Sequence, residues 1–197
     1  MDAIAVRPEM TMPAAEAAHL RAAYAEAGVI LEYGSGGSTV IAAEMTGKTV
    51  FAVEKDRRWI GKMREWLIGH PGTSTIHFHL ADIGPTRRWG RPKDEAQWRS
   101  YAGYPLDVWD RPDFVHPDVV LIDGRFRVGC FLATILRIAR PVTVLFDDYR
   151  PRKSYRAVEE WFAPQAMIGR MAHFDVSPVA LNPACLRRMF DLMQDPT

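Results

Sequence analysis

Cysteine is scarce in this chain: Cys130 and Cys185 are the only two in 197 residues. Two thiols at that spacing supply neither a disulfide framework nor a zinc site. That points to a reducing compartment, with the cytoplasm as the expected location. No stretch is apolar for the length of a membrane span, and the opening MDAIAVRPEM lacks a basic region followed by a long apolar run. Neither membrane insertion nor export is therefore expected. An excess of charge is missing too, since 25 Lys and Arg face 24 Asp and Glu for a formal net charge of +1. Bulk attraction to nucleic acid or to a membrane surface is disfavoured on that ground. There is no internal repeat and no low-complexity tract. The length suits one sizeable core, so a single domain, 1–197, is expected.

What the chain does have is an alternation of short β-rich apolar runs with amphipathic segments, the pattern of a mostly parallel sheet covered on both faces. The expected fold class is α/β, a doubly wound, Rossmann-like sheet. GVILEY, TVFAVE, TIHFHL, DVVLID and VTVLFDD read as five strands. A first helix begins near Pro13, and Ser38 or Thr39 caps a second that Gly47 stops. Asp56 caps a third, in which Trp59, Ile60, Met63, Trp66 and Leu67 share a face. Another helix carries Val128, Phe131, Leu132, Ile135 and Leu136 on a buried stripe. Residues 84–117 break the rhythm with five prolines and several aromatics. So long a connection is expected to be functional, with Trp89, Trp98, Tyr101, Tyr104 and Trp109 forming an aromatic wall or lid, or else anchoring the segment to the body. Arg87, Arg88 and Arg91 are candidates to meet phosphate or carboxylate groups. Near the end, RMAHFDV reads as a strand and NPACLRRMFDLMQ as a helix capped by Asn182, which makes the C-terminal sheet edge atypical and leaves a surface for a possible homodimer.

The stretch ILEYGSGGST, residues 30–39, puts Glu32 two positions before the first glycine of a tight turn. Glu54 lies twenty positions after Gly34, the spacing that strand, helix and strand require. A dinucleotide fold would use the same spacing. However, a pyrophosphate over this turn would be repelled by a buried Glu32, and Thr39 stands where the dinucleotide fingerprint has its third glycine. With LEYGSGGS, Glu54 and Asp82 in HLADIG, the sequence resembles the class I S-adenosylmethionine-dependent methyltransferases. The resemblance implies that Glu32, Gly34, Ser35, Gly36, Ser38, Glu54, Asp82 and Asp123 bind the cofactor. Glu32 would favour its cationic groups, Glu54 would hold the ribose hydroxyls, and Asp82 would contact the adenine amino group.

A Pro-Pro-aromatic motif after the fourth strand, typical of enzymes that methylate amino groups of bases or glutamine, is absent. LIDGRF together with LFDDYRPRKSYRAVEEWF instead resembles the metal-dependent O-methyltransferases, especially the macrocin O-methyltransferase group. By that resemblance the acceptor is a small molecule methylated at oxygen, Asp123, Asp147 and Asp148 are magnesium ligands, and Asp123 and Asp148 take part in catalysis. Mg²⁺ suits hard oxygen ligands at adjacent strand ends. Arg125 departs from the pattern, because it stands where group members often carry a second acid and a guanidinium cannot take a proton. Arg125 is a candidate catalytic residue beside Asp123 and Asp148, with two roles open to it: binding an anionic substrate, or neutralising the three aspartates so that no metal is held. The second is the expectation. A protein that holds the cofactor without turnover, or a nicotinamide-dependent oxidoreductase, are the alternatives.

Overall fold

β-Branched and aromatic residues build the centre of the sheet: VILEY forms β1 (Val29–Tyr33), TVFAVE β2 (Thr49–Glu54) and VVLI β4 (Val119–Ile122). In the computed structural model, which describes residues 7–87 and 90–197, these join β3 (Thr75–Leu80), β5 (Val142–Phe146), β6 (Ala166–Ile168) and β7 (Met171–Val176) in one sheet. The strand order is β3-β2-β1-β4-β5-β7-β6, with β7 antiparallel to both neighbours and the other pairings parallel. The order reverses between β1 and β4, and the crevice beyond the carboxyl ends of those strands is where open α/β sheets bind ligands.

Side chains alternate across the sheet. Ile30, Val50, Leu121 and Leu145 pack on one face with Leu20 and Tyr24 of α1 (Ala14–Glu26). Leu31, Tyr33, Val120 and Phe146 pack on the other, with Phe131 and Leu132 of the helix that follows β4. Between the strands run α2 (Gly37–Glu44), α3 (Arg57–Gly69), a single turn α4 (Gly103–Leu106) and α5 (Arg127–Arg137). Asp56 caps α3, accepting from the Arg58 and Trp59 amides, and Gly47 takes the left-handed conformation after α2. After β5 the chain makes a 3-10 helix over Lys153–Glu160.

The C-terminal edge is more regular than the sequence suggested. AMI pairs with β7 to complete an antiparallel pair, and the helical segment follows it as a 3-10 turn, Pro183–Cys185, capped by Asn182, and then α6 (Leu186–Met193). Three residues, none fully buried, leave no periodicity to read. No helix among the described residues is long and apolar enough to cross a membrane.

Candidate functional site

The turn after β1 is shaped by close backbone approach. Gly34 has φ +105°, and a Cβ there would stand 3.1 Å from the Gly124 amide nitrogen, so this turn and the one after β4 meet across the switch point. A Cβ on Gly36 would meet nothing within 4 Å, so this part of the turn borders open space. That space belongs to a cavity of about 1310 Å³ bordered by Gly34 to Ser38, Glu54, Trp59, Tyr104, Asp123, Arg125, Arg127, Asp148, Arg152 and Arg170. Residues 8–12 form a further wall, and Thr86, Arg87, Gly90 and Arg91 border the rim.

Glu54, the last residue of β2, is fixed by three donors. Its Oε2 accepts from Ser35 Oγ at 3.1 Å, and its Oε1 accepts from the Lys55 and Asp56 amides at 2.9 and 3.0 Å. The Trp59 indole donates to Ser35 O at 3.0 Å and braces the turn from α3.

Glu32 and Asp82 do not border this cavity. Strand alternation sends the Glu32 side chain to the α1 face, where Tyr24 donates to Oε1 at 2.7 Å and Thr39 Oγ1 donates to Oε2. Thr39 in turn accepts from the Gly36 amide. Glu32 is fully buried, and burial pushes its carboxyl up to about 7 against the pull of these hydrogen bonds. Its carboxyl lies beneath the glycine turn and braces the backbone there through Thr39. Asp82 is exposed and closes a local turn by accepting from the Gly84 amide at 3.0 Å. It borders a separate, smaller cavity with Gln97 and Ser100.

The aspartates after β4 and β5 are held by arginines that the sequence reading did not single out. Arg127, almost wholly buried, donates to the carbonyls of Asp123, Gly124 and Asp147, and its Nη2 stands 3.1 Å from Asp123 Oδ1 and 3.6 Å from Asp148 Oδ2. Arg170 grips buried Asp147 with two hydrogen bonds, 3.0 and 2.8 Å, and its Nε lies 3.2 Å from Asp148 Oδ1. The expectation that Arg125 neutralises this cluster is therefore corrected, because Arg127 and Arg170 do so. The magnesium assignment to Asp123, Asp147 and Asp148 is corrected as well. Both oxygens of Asp147 are engaged, two guanidinium groups sit where a dication would be repelled, and no group of three metal-ligating side chains is found among the described residues. Mg²⁺ does not fit this site. The sequence did carry one signal for Arg127: a charge opening a helix, RVGCFLATILR, that holds no other charge until its last residue, Arg137.

Asp123 borders the cavity, and its carboxyl is pushed up to about 6, chiefly by burial and further by Asp147 and Asp148, while Arg127 pulls it down. Of the aromatics in residues 84–117, Tyr104 alone among those described borders the cavity, and its hydroxyl accepts from the Arg125 amide at 3.3 Å. Tyr101 and Trp109 are buried anchors, the latter donating to the Tyr33 hydroxyl at 2.7 Å, and Trp98 lies at the surface away from the site. No aromatic wall or lid is formed by these four. Trp89 and Arg88 lie outside the described residues.

The sheet order, the glycine turn at the switch point and the acid ending β2 define a methyltransferase of the Rossmann-like kind. Comparison with family models and with curated proteins returns no match. Among solved structures, a methyltransferase-like protein from Silicibacter pomeroyi is 54% identical, with 96% of this chain and 99% of that one covered and a TM-score of 0.93. The chain belongs to the class I S-adenosylmethionine-dependent methyltransferase superfamily. Two further structures show the likeness of fold alone. An O-methyltransferase from Bacillus cereus, solved in complex with SAH, is 14% identical with a TM-score of 0.55, covering 86% of this chain and 84% of its own. A SAM-dependent O-methyltransferase from Thermotoga maritima is 12% identical with a TM-score of 0.55, covering 89% and 69%.

Proposed function

We propose that this protein transfers a methyl group from S-adenosylmethionine to a hydroxyl oxygen of a small molecule, without a metal. The observation that carries the reading is one cavity of about 1310 Å³ that joins the glycine turn and Glu54 to the Asp123 carboxylate. Pockets for drug-sized ligands measure roughly 300–1,000 Å³, so this volume has room for a cofactor and an acceptor together. The residues fit that cofactor: Glu54 is pre-oriented and keeps one lone-pair site, on Oε2, for a ribose hydroxyl, the backbone at Gly36 is open to close approach, and Glu32 adds negative charge beneath the turn. When bound, S-adenosylmethionine supplies an electrophilic methyl on a sulfonium.

Asp123 is the base in this reading. With its carboxyl at about 6 it is ionised at neutral pH yet more basic than an exposed aspartate, which suits removal of a hydroxyl proton. The O-methyltransferases among the structural neighbours support oxygen as the acceptor atom, and the near-zero net charge supports a small molecule over a nucleic acid.

Calorimetry with S-adenosylhomocysteine, NAD and NADP tests the cofactor, and binding of S-adenosylhomocysteine alone is expected. Heat from NAD with none from S-adenosylhomocysteine would overturn the methyltransferase reading in favour of an oxidoreductase. Release of radiolabelled methyl product from a panel of hydroxylated acceptors separates an enzyme from a cofactor-binding protein without turnover. Asp123→Asn should then lower kcat by about 10²-fold or more at saturating cofactor, and an unaltered kcat would remove Asp123 from the base role.

A further inference from the structure

Four guanidinium groups, of Arg125, Arg127, Arg152 and Arg170, border one end of the cavity, where among the described residues three carboxylates, of Asp123, Asp147 and Asp148, pair with them. Arg127 and Arg170 have their partners. The Arg125 side chain makes no ion pair and no hydrogen bond among the described residues, although it is partly buried; its amide donates to the Tyr104 hydroxyl and its carbonyl accepts from the Cys130 thiol. Arg152 has one carboxylate near it, Asp148 at 3.9 Å, a long contact that this acid shares with Arg127 and Arg170. A desolvated guanidinium with no counter-charge is costly, and burial together with Arg127 lowers the Arg125 proton affinity.

Three further observations are in keeping with an anion near these arginines. The Tyr155 hydroxyl is buried without a partner among the described residues, and its ring centroid lies 5.7 Å from the guanidinium carbons of both Arg127 and Arg152. The first turn of α5 has no side-chain cap, and its positive end lies next to Arg125 in the chain. Phe126 and Asp148, with φ of 52° and 56°, are the positive-φ residues other than glycine among those described, and they lie in the loops that carry Arg125 and Arg152. Such backbone strain is retained where the surrounding structure needs it, and it gathers at ligand sites.

Resting on the methyltransferase reading, we propose that the acceptor is a hydroxylated small molecule with an anionic group, a carboxylate or a phosphate, which Arg125 and Arg152 bind beside Asp123. A guanidinium presents a planar fork of donors that matches both anions. Arg125 is two residues from Asp123, so the anion and the reacting hydroxyl belong on neighbouring parts of one molecule. The arginines thereby take over the acceptor-orienting role for which the site has no metal.

Calorimetric titration of the protein with salicylate, catechol and inorganic phosphate, with and without saturating S-adenosylhomocysteine, tests this. Salicylate carries the hydroxyl beside a carboxylate, catechol is its neutral counterpart, and phosphate is the tetrahedral anion. Salicylate or phosphate should bind at least about tenfold more tightly than catechol, and Arg125→Ala should remove that advantage. Arg125→Lys should retain part of it, and Arg99→Ala, an exposed arginine outside the cavity, should leave it intact. A preference for salicylate over phosphate assigns a carboxylate, and the reverse assigns a phosphate. S-Adenosylhomocysteine affinity serves as the folding control in each variant. Equal binding of catechol, or anion binding unchanged by Arg125→Ala in a protein that still binds S-adenosylhomocysteine, overturns the anionic acceptor. Failure of the parent to bind S-adenosylhomocysteine overturns the proposed function instead, and the anion comparison is then decided on the cofactor-free titrations.

Discussion

Glu54 ends β2 with both carboxylate oxygens aimed by the Ser35 hydroxyl and two backbone amides, so its orientation costs little further entropy when a ligand arrives. Glu54→Ala should weaken S-adenosylhomocysteine binding by about 1.5–3 kcal/mol, the range for hydrogen bonds to a charged group; calorimetry on the folded variant checks it, and an unchanged affinity would take Glu54 out of the site. Its position was legible from the twenty-residue interval after Gly34, because strand, helix and strand fix that interval whatever the side chains do. The orientation of Glu32 was not. The sequence places it next to last in β1, but only the alternation of the assembled sheet, with Tyr24 waiting on α1, sends its carboxylate beneath the turn instead of into the cavity. Asp82 illustrates a second limit: an aspartate two residues before a glycine can close a turn on itself, and it does so here.

Elements meet at the site through two contacts that sequence periodicity does not carry. The segment 7–12 lies against α2, tied by Arg7 to Glu44 through two hydrogen bonds of 2.9 and 2.7 Å. A Cβ on Gly37 would collide with the backbone of Glu9 and Met10. Gly37→Ala should therefore displace that wall of the cavity, with a loss of about 1–3 kcal/mol in stability by denaturant titration and faster proteolysis of residues 7–12. A stability equal to the parent's would mean that the segment does not pack there in solution. The second contact joins the loops after β4 and β5 to β7 through Arg127 and Arg170. Local reading named Arg125 because it lies nearest Asp123 in sequence, whereas Arg170 reaches Asp147 from a distant hairpin. Since those guanidinium groups already hold the acids, Mg²⁺ or Mn²⁺ should neither raise the Tm nor change methyl transfer, and chelator-treated protein should keep full activity. Tight Mg²⁺ binding abolished by Asp147→Asn would contradict this arrangement.

For the molecule as a whole, two raised carboxyls make stability and cofactor binding depend on pH in opposite directions. Glu32 is pushed up to about 7 and Asp123 to about 6, from ordinary values of 4.5 and 3.8, and burial is the largest cause for both. The folded state thus binds these protons more tightly than the unfolded chain does. Their contribution to stability is fully present below about pH 4 and is lost as pH rises through about 6 for Asp123 and about 7 for Glu32. Glu44 and Asp118, whose carboxyls are lowered, act in the other direction, but only as pH falls below the ordinary carboxylate range. Without ligand, the Tm should therefore decline between pH 5 and 8, and Glu32→Gln should flatten the part of that decline above pH 6. The cofactor's ammonium favours ionised Glu32 across the glycine turn, so S-adenosylhomocysteine affinity should rise with pH through about 7. Binding near that pH should release a proton, read as a dependence of the calorimetric heat on the ionisation enthalpy of the buffer, and Glu32→Gln should abolish the release. Proton uptake by the parent would show that Glu32 stays protonated beneath the bound cofactor, and its part in choosing a cationic ligand over a pyrophosphate would then be lost.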